Sequence, residues 1–471
     1  MNRFFMFLWA LGSLTVLCQW YVFVSVRKFL FQAYAPVTRS VAYSVLTLLA
    51  LLNLIGIELS MESRWFGVAA DVQRVSAVVF FSYLGLIFVL CISFVFLKAV
   101  DQIVRVAQLL PGITSKLAGS SHVAGSEAGC VTASRSTKIK DLRNIGCRKS
   151  SPENDLTSTG RIRPLPIKDY QGNCTNPVPT FLSRRTFLKW GTVTGIITGA
   201  GVVGKGIAGA YQRPVTEQLE VFHSGLAGLS RPLKLIHVTD FHLGLFYGTR
   251  ELEDLVETLN SIDGDAVVLT GDIYHSPLSQ VELSTPVLKK LRPRRMGNLA
   301  VLGNHDFYAG VSRSVASLEG ASIRLLRNEW ITFRQGNVNL HIGGIDDPVA
   351  NWLWGEQFPA FTSFMEMCPD SPGLKILLSH RPAIFPQASR SGIDLVLSGH
   401  THGGQIIIPG ISERKGYSLA AIVSPFTHGW YRTATSSMYL NRGIGLTFVP
   451  WRINCPPEIA VLHLSGTKAK G

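Results

Sequence analysis

Residues 233–242 read LKLIHVTDFH: an apolar run, Leu233 to Thr239, that ends on Asp240-Phe241-His242. The pattern recurs four times downstream. Asp265 to Thr270 ends on Gly271-Asp272, and Asn298 to Leu302 on Gly303-Asn304-His305-Asp306. Leu374 to Ser379 ends on His380, and Ile393 to Ser398 on Gly399-His400-Thr401-His402. Apolar runs this short, bounded by glycine and polar turns, read as strands buried on both faces. In open α/β sheets, chemistry collects at the carboxyl ends of the strands. Five such ends carrying Asp, Asn and His point to converging metal ligands.

Helical patterns alternate with these strands at Thr249 to Ile262, Leu278 to Leu291, Val311 to Glu319 and Trp354 to Met367. After His402 the pattern changes to short β segments, Gln405 to Ile408, Met438 to Asn441 and Glu458 to Leu464. Residues 214–471 therefore read as one α/β domain with a β-rich second half, of ordinary domain size.

Upstream, Phe4 to Val26, Val41 to Ile57 and Val75 to Leu97 are apolar and each about the length a bilayer needs. Residues 1–100 read as a membrane domain of three transmembrane helices. The first run is too long for the apolar region of a signal peptide, and no small-residue cleavage site is clear near Val26. The 471-residue chain carries a net charge of +14, unevenly spread. From Lys98 to Lys189, 15 Lys and Arg stand against 6 Asp and Glu, which leaves +9 in this stretch. Basic charge next to membrane spans marks cytoplasmic sequence, and the aromatic-basic interleaving of a single-strand binder is absent. No nucleic-acid binding is expected. The positive-inside rule puts the loop with Arg27, Lys28 and Arg39, and the basic stretch after the third span, in the cytoplasm. Residues 101–182 form a basic linker, largely disordered by composition: Gly112 to Pro179 is rich in Ser, Gly, Thr and Pro.

Ser183-Arg184-Arg185-Thr186-Phe187-Leu188-Lys189 then resembles a bacterial twin-arginine export signal. A weakly apolar, Gly-rich stretch follows from Gly191 to Ala210, and Ala208-Gly209-Ala210 suits cleavage before Tyr211. Residues 183–213 read as signal and membrane segment, with the twin-arginine translocase as partner. Charge had already put this segment in the cytoplasm, where such a signal must start. The expected location is a multi-pass protein of the bacterial inner membrane with its 214–471 domain on the periplasmic side. The seven cysteines show no C-x-x-C spacing, so no zinc knuckle or disulfide framework is expected.

In the clusters, Asp240 and His242 are two apart at a strand end and can point to one side. Asp272 follows Gly271, which lets backbone and side chain crowd together. Its carboxylate has two oxygens and can bridge two ions. Asn304 supplies a carbonyl oxygen; His380, His400 and His402 supply nitrogens. Seven ligands are too many for one tetrahedral ion and suit two ions sharing a bridge. His305 and Asp306 are better placed outside the ligand set. His305 can hydrogen-bond a phosphoryl oxygen or protonate a leaving group, and Asp306 can accept its other ring N–H.

The set D-x-H, G-D, G-N-H-D, H and G-H-x-H, complete and in order, resembles the calcineurin-like metallophosphoesterase superfamily over Leu233 to Leu464. The resemblance implies a four-layer α-β-β-α sandwich, here preceded by transmembrane helices. It implies two divalent or transition metal ions (Mn, Fe or Zn). Asp240, His242 and His402 would hold one, Asn304, His380 and His400 the other, and Asp272 would bridge. His305 would act on the phosphate with Asp306 behind it. The implied chemistry is attack of a metal-bridging hydroxide on a phosphate ester, without a covalent intermediate.

Ser379-His380-Arg381-Pro382, Gly399 through Gln405 with Pro409, and Asn441-Arg442-Gly443-Ile444-Gly445 with Pro457-Glu458-Ile459 are similar to a membrane-associated or twin-arginine-exported bacterial subgroup. That subgroup includes UDP-2,3-diacylglucosamine pyrophosphatases of lipid A synthesis. A lipid or a nucleotide-linked glycolipid is therefore an alternative substrate, one at odds with export because it is cytoplasmic. A further alternative is a non-catalytic sensor or binding protein with a degenerate domain; the intact ligand set argues against it. Arg381 and Arg442 are candidate phosphate contacts, with a salt bridge the competing reading for each. His237 reads as a core residue and His275 as a solvated loop histidine.

Overall fold

The computed structural model describes residues 70–109 and 184–466, apart from 245, 276–278, 349–357, 409–416, 423 and 448, together with a few helical positions between 17 and 47. The predicted spans Phe4 to Val26 and Val41 to Ile57 and the linker from Gly112 to Pro179 lie outside the described residues, those few positions aside. The chain divides into two units, residues 1–92 with 194–471, and residues 93–193. Of the second unit, only parts of two helices are described. These are α1 (Ala70–Leu109) and α2 (Arg184–Ala210), both continuing into the first unit. Val78–Phe96 of α1 and Val193–Ala210 of α2 are each long and apolar enough to cross a membrane. The third predicted span falls within α1.

The rest of the first unit is built on two six-stranded mixed sheets. Along the chain the strands are β1 (Val215–Phe222), β2 (Leu233–Val238), β3 (Ala266–Thr270), β4 (Asn298–Val301), β5 (Arg324–Leu325), β6 (Glu329–Gln335) and β7 (Val338–Gly344). They continue as β8 (Leu374–Leu378), β9 (Leu395–Ser398), β10 (Ile407–Ile408), β11 (Tyr417–Ser418), β12 (Gly429–Arg432), β13 (Ser437–Leu440) and β14 (Glu458–Ser465). One sheet runs β1-β14-β2-β3-β4-β5 and the other β12-β13-β9-β8-β7-β6, with β10-β11 a separate hairpin. Strands β2 to β5 are parallel, as are β7, β8, β9 and β13.

Side-chain alternation builds the layers. Leu233 and Leu235 of β2, Val268 of β3, Leu340 and Ile342 of β7, Ile376 of β8 and Leu397 of β9 pack into one core between the sheets. Ile236, Val238, Val267 and Leu269 face the other way. They meet Leu252, Leu255, Val256 and Leu259 of α3 (Thr249–Ser261), together with α4 (Ser279–Leu288) and, beyond the short α5 (Asn304–Tyr308), α6 (Val311–Gly320). Behind the second sheet, Leu377 and Val396 meet Phe361 and Phe364 of α7 (Phe361–Glu366) and Phe385 and Ala388 of α8 (Phe385–Arg390). The order is helix, sheet, sheet, helix, the architecture the resemblance implies. His237 sits inside β2, fully buried, with Nε2 2.8 Å from Thr270 Oγ1; burial pushes its pKa down to about 3, so it is a neutral core histidine.

Strands β2, β3 and β4 of one sheet and β8 and β9 of the other end on the five clusters. Both sheets therefore present their carboxyl ends to one place.

Candidate metal centre

The loops after β2 and β3 are fastened to each other by main-chain bonds. Asp240 N donates to Gly271 O, His242 N to Asp272 O, Leu243 N to Ile273 O, and His275 N to Leu243 O. From the far side, Ile444 N donates to Thr239 O and Gly445 N to Asp240 O. This lacing turns the polar side chains inward at the cost of left-handed backbone at Asp240, His242, Asp272, His400 and His402, with φ between 47° and 78°. Each such residue costs about 1–2 kcal/mol and persists only where its surroundings hold it.

Two groups of ligand atoms result: Asp240 with His242 and His402, and Asp272 with His380 and His400. His242 Nε2 is 2.9 Å from His402 Nε2, and His380 Nε2 is 3.0 Å from His400 Nδ1. Asp272 Oδ2 lies between the groups, 3.5 Å from His242 Nε2 and 3.1 Å from His380 Nε2. The other oxygen, Oδ1, accepts from His305 N at 2.9 Å at the start of α5. Asn304 is buried and its Oδ1 has no hydrogen-bond partner among the described residues. Buried imidazole nitrogens facing each other, a carboxylate oxygen between them and an orphaned carbonyl oxygen form a donor set that fits two cations.

Charge tells the same story. Burial pushes the pKa values of His242, His400 and His402 well below the imidazole range, leaving neutral rings with lone pairs to give. Burial also opposes charge on Asp272, but His380 and then His305 outweigh it and hold the carboxyl well below the usual range. His380 is opposed by burial as well, and Asp272 beside it pushes it up to about 10. Burial raises Asp240 to about 6, against His380 and the His400 amide, which donates to its carboxylate. The centre thus stabilises positive charge between its two carboxylates.

His305 stands at the edge of the ligand groups, with its ring centroid 4.7 Å from that of His242. Its Nδ1 lies 2.9 Å from the carbonyl of His275, not beside Asp306. Asp306 is fully buried and accepts from Tyr274 N at 2.9 Å and Gly303 N at 2.8 Å, joining the loops after β3 and β4. Arg381 and Arg442 are both engaged within the protein. Arg381 is 1% exposed and pairs through Nε with the buried Asp347 at 2.7 Å. Arg442 pairs with Glu458 and Glu217. Both arginines thus form the salt bridges that were the competing reading for each. His275 is no solvated loop residue: Nδ1 is 3.0 Å from His242 Nδ1, its ring stacks on His305, and burial pushes its pKa down to about 4. Its signal in sequence was a histidine three residues after Asp272, which alone distinguishes it from no other loop histidine.

The segment behind the centre runs to the apolar helices. Arg452, fully buried, donates to the carbonyls of Arg442, Gly443 and Gly445, the turn that supports Asp240, and Cys455 Sγ donates to His402 O. Arg452 N donates to Gly206 O of α2. The Trp451 side chain fills a notch where a Cβ on Gly85 or Gly206 would meet it. Ala210, Phe246, Leu446 and Val78 pack together beside it.

Residues 233–404 match the family described as calcineurin-like phosphoesterase. A transmembrane protein with metallophosphoesterase domain from Danio rerio is 32% identical over 283 residues, 58% of this chain and 62% of that one. A metallophosphoesterase of Aquifex aeolicus is 30% identical over 237 residues, 50% of this chain and 85% of its own. Another, from Bacillus subtilis, is 28% identical over 302 residues, 61% of this chain and 99% of its own. The chain thus spans less than two thirds of the length of the vertebrate relative.

Proposed function

Because the chain belongs to the calcineurin-like phosphoesterase family, we propose that it hydrolyses phosphoric esters with two metal ions. Asp240, His242 and His402 hold one; Asn304, His380 and His400 hold the other; Asp272 is shared. The observation that carries this reading is the single oxygen, Asp272 Oδ2, within 3.5 Å of a histidine from each group. When bound, the two ions neutralise phosphoryl oxygens and lower the pKa of water, so that a nucleophile exists at neutral pH. The chain's own residues do the rest. His305 Nδ1–H donates to the His275 carbonyl, so the imidazolium form of the ring would carry its second proton on Nε2 for the phosphate or the leaving oxygen. Asp306 keeps Gly303 and Tyr274 in register so that Asn304 and His305 face Asp272.

The test is turnover of an aryl phosphate monoester and an aryl diester by the full chain in detergent, with Mn, Fe or Zn and with chelator. Chelator is expected to abolish turnover, and added metal to restore it. No hydrolysis with any of the three metals would sink the proposal.

The membrane reading belongs to the same proposal. Its parts are a membrane domain at 1–100, a basic cytoplasmic linker at 101–182, a twin-arginine-like signal and span at 183–213, and a catalytic domain at 214–471 outside a bacterial inner membrane. Support comes from the two apolar helices and the basic stretch between them. A second substrate reading, a lipid-linked phosphoester such as a UDP-linked diacylated sugar, is favoured by the Trp451 contact, which sets the segment behind the centre against those helices. A reporter fused after Gly471 separates the cases. Activity only outside the membrane supports export; activity only inside overturns export and favours the nucleotide-linked glycolipid.

A further inference from the structure

We propose that His275 is a positioning residue whose ring holds His242 in the tautomer a metal ligand needs and whose carbonyl orients the ring of His305 beside the ligands. The inference rests on the two-metal reading. The main chain places His275 first. Its N–H donates to Leu243 O, which sets it beside His242 on the laced loops.

His242 turns Nε2 toward Asp272 Oδ2, at 3.5 Å, and His402 Nε2, at 2.9 Å. That nitrogen must keep its lone pair to bind a cation, so the proton of the neutral ring sits on Nδ1. Nδ1 faces His275 Nδ1 at 3.0 Å. Two ring nitrogens at that distance share one proton, so His275 Nδ1 is the acceptor and His275 carries its own proton on Nε2. Metal-bound histidines normally give this second N–H to a carboxylate, carbonyl or water. Here an imidazole takes it, which orients the ring without adding negative charge. At the same residue, the His275 carbonyl lies 2.9 Å from His305 Nδ1, and the two rings stack at 4.9 Å and 15°. One loop residue therefore orients a ring on the metal side and a ring on the phosphate side.

His242, His275 and His305 also bring ligand atoms within 4.8 Å of one another. A third ion there would need His242 to bind through both nitrogens, which a neutral ring cannot do.

The test compares the full chain in detergent with His275→Leu and His275→Asn. Manganese stoichiometry and affinity are read by chelator competition, beside kcat on an aryl ester. Asparagine keeps an acceptor at the δ position; leucine keeps bulk without one. Wild type is expected to bind two manganese ions. His275→Leu is expected to hold one as tightly as wild type and the other about 10- to 100-fold more weakly, with a matching loss in kcat. His275→Asn is expected to recover most of both. Two ions bound at wild-type strength by His275→Leu would overturn the role of His275 alone. Asparagine no better than leucine would do the same, as would a third manganese in wild type that leucine removes. A wild type that binds no manganese would overturn the two-metal reading and this inference with it.

Discussion

Asp272→Asn is expected to lower turnover of an aryl phosphate ester by at least about 10³-fold while leaving the fold intact. Changing a residue that only orients a ligand costs about 10- to 100-fold. Asp272 does more, because its Oδ2 reaches both ligand groups and its Oδ1 accepts the amide of His305. Asparagine has one oxygen. If that oxygen faces the His305 amide, an NH₂ group points between His242 and His380, where it repels a cation. If it faces the ions, the NH₂ meets the His305 N–H, donor against donor. Either way the bridge or the start of α5 is lost. The check is kcat with bound metal counted on the same sample, beside a circular dichroism spectrum. Turnover within tenfold of wild type would sink the bridging role.

Gly303→Ala is expected to damage the fold and the metal centre together. The glycine has φ −98°, which any residue adopts, so the damage is steric and not conformational. A Cβ there would collide with Asp272 Oδ1 and lie 2.5 Å from Asp272 N. Neither atom can retreat. Asp272 is 1% exposed, and its carbonyl takes the His242 amide. Overpacking a core costs about 1–3 kcal/mol where side chains can shift. Here the obstacle is backbone and the buried Asp272 carboxylate, so a loss at or above about 3 kcal/mol is expected, with weakened metal binding. Denaturant unfolding and metal counting on the same variant check it; a stable variant with both ions would show that the loops after β3 and β4 can part.

Much of this arrangement was legible in sequence because the strands that carry it are buried on both faces. Val267, Val268 and Leu269 announce β3 whatever surrounds them, and Gly271-Asp272 marks its end. Helix α3 was legible from Leu252, Leu255, Val256 and Leu259 at helical spacing. The edge strands were not. β1 alternates half-buried and exposed positions and pairs with β14, more than two hundred residues away, so no local run declares it. β6, at the other sheet's edge, is hidden in the same way. Side-chain partners were least legible. Arg381 finds Asp347, Arg442 finds Glu217 and Glu458, and His305 finds the carbonyl of His275, each across a distance that only the folded chain sets. His275 carries no adjacent glycine or paired carboxylate to mark it, and its place is visible only once β2 and β3 lie side by side.

Trp451 also bears on what a signal peptidase would leave behind. Ala208-Gly209-Ala210 has the small residues such an enzyme cuts after, yet Ala210 is packed against Phe246 and Leu446, and Gly206 accepts the Arg452 amide. A cut there would strip the indole of one wall of its notch and leave without its acceptor the N–H of Arg452, whose side chain supports the turn under Asp240 and which lies three residues from Cys455, the partner of His402 O. The last turns of α2 are in this sense the floor of the catalytic domain, and a secreted remainder would be a protein with a missing floor.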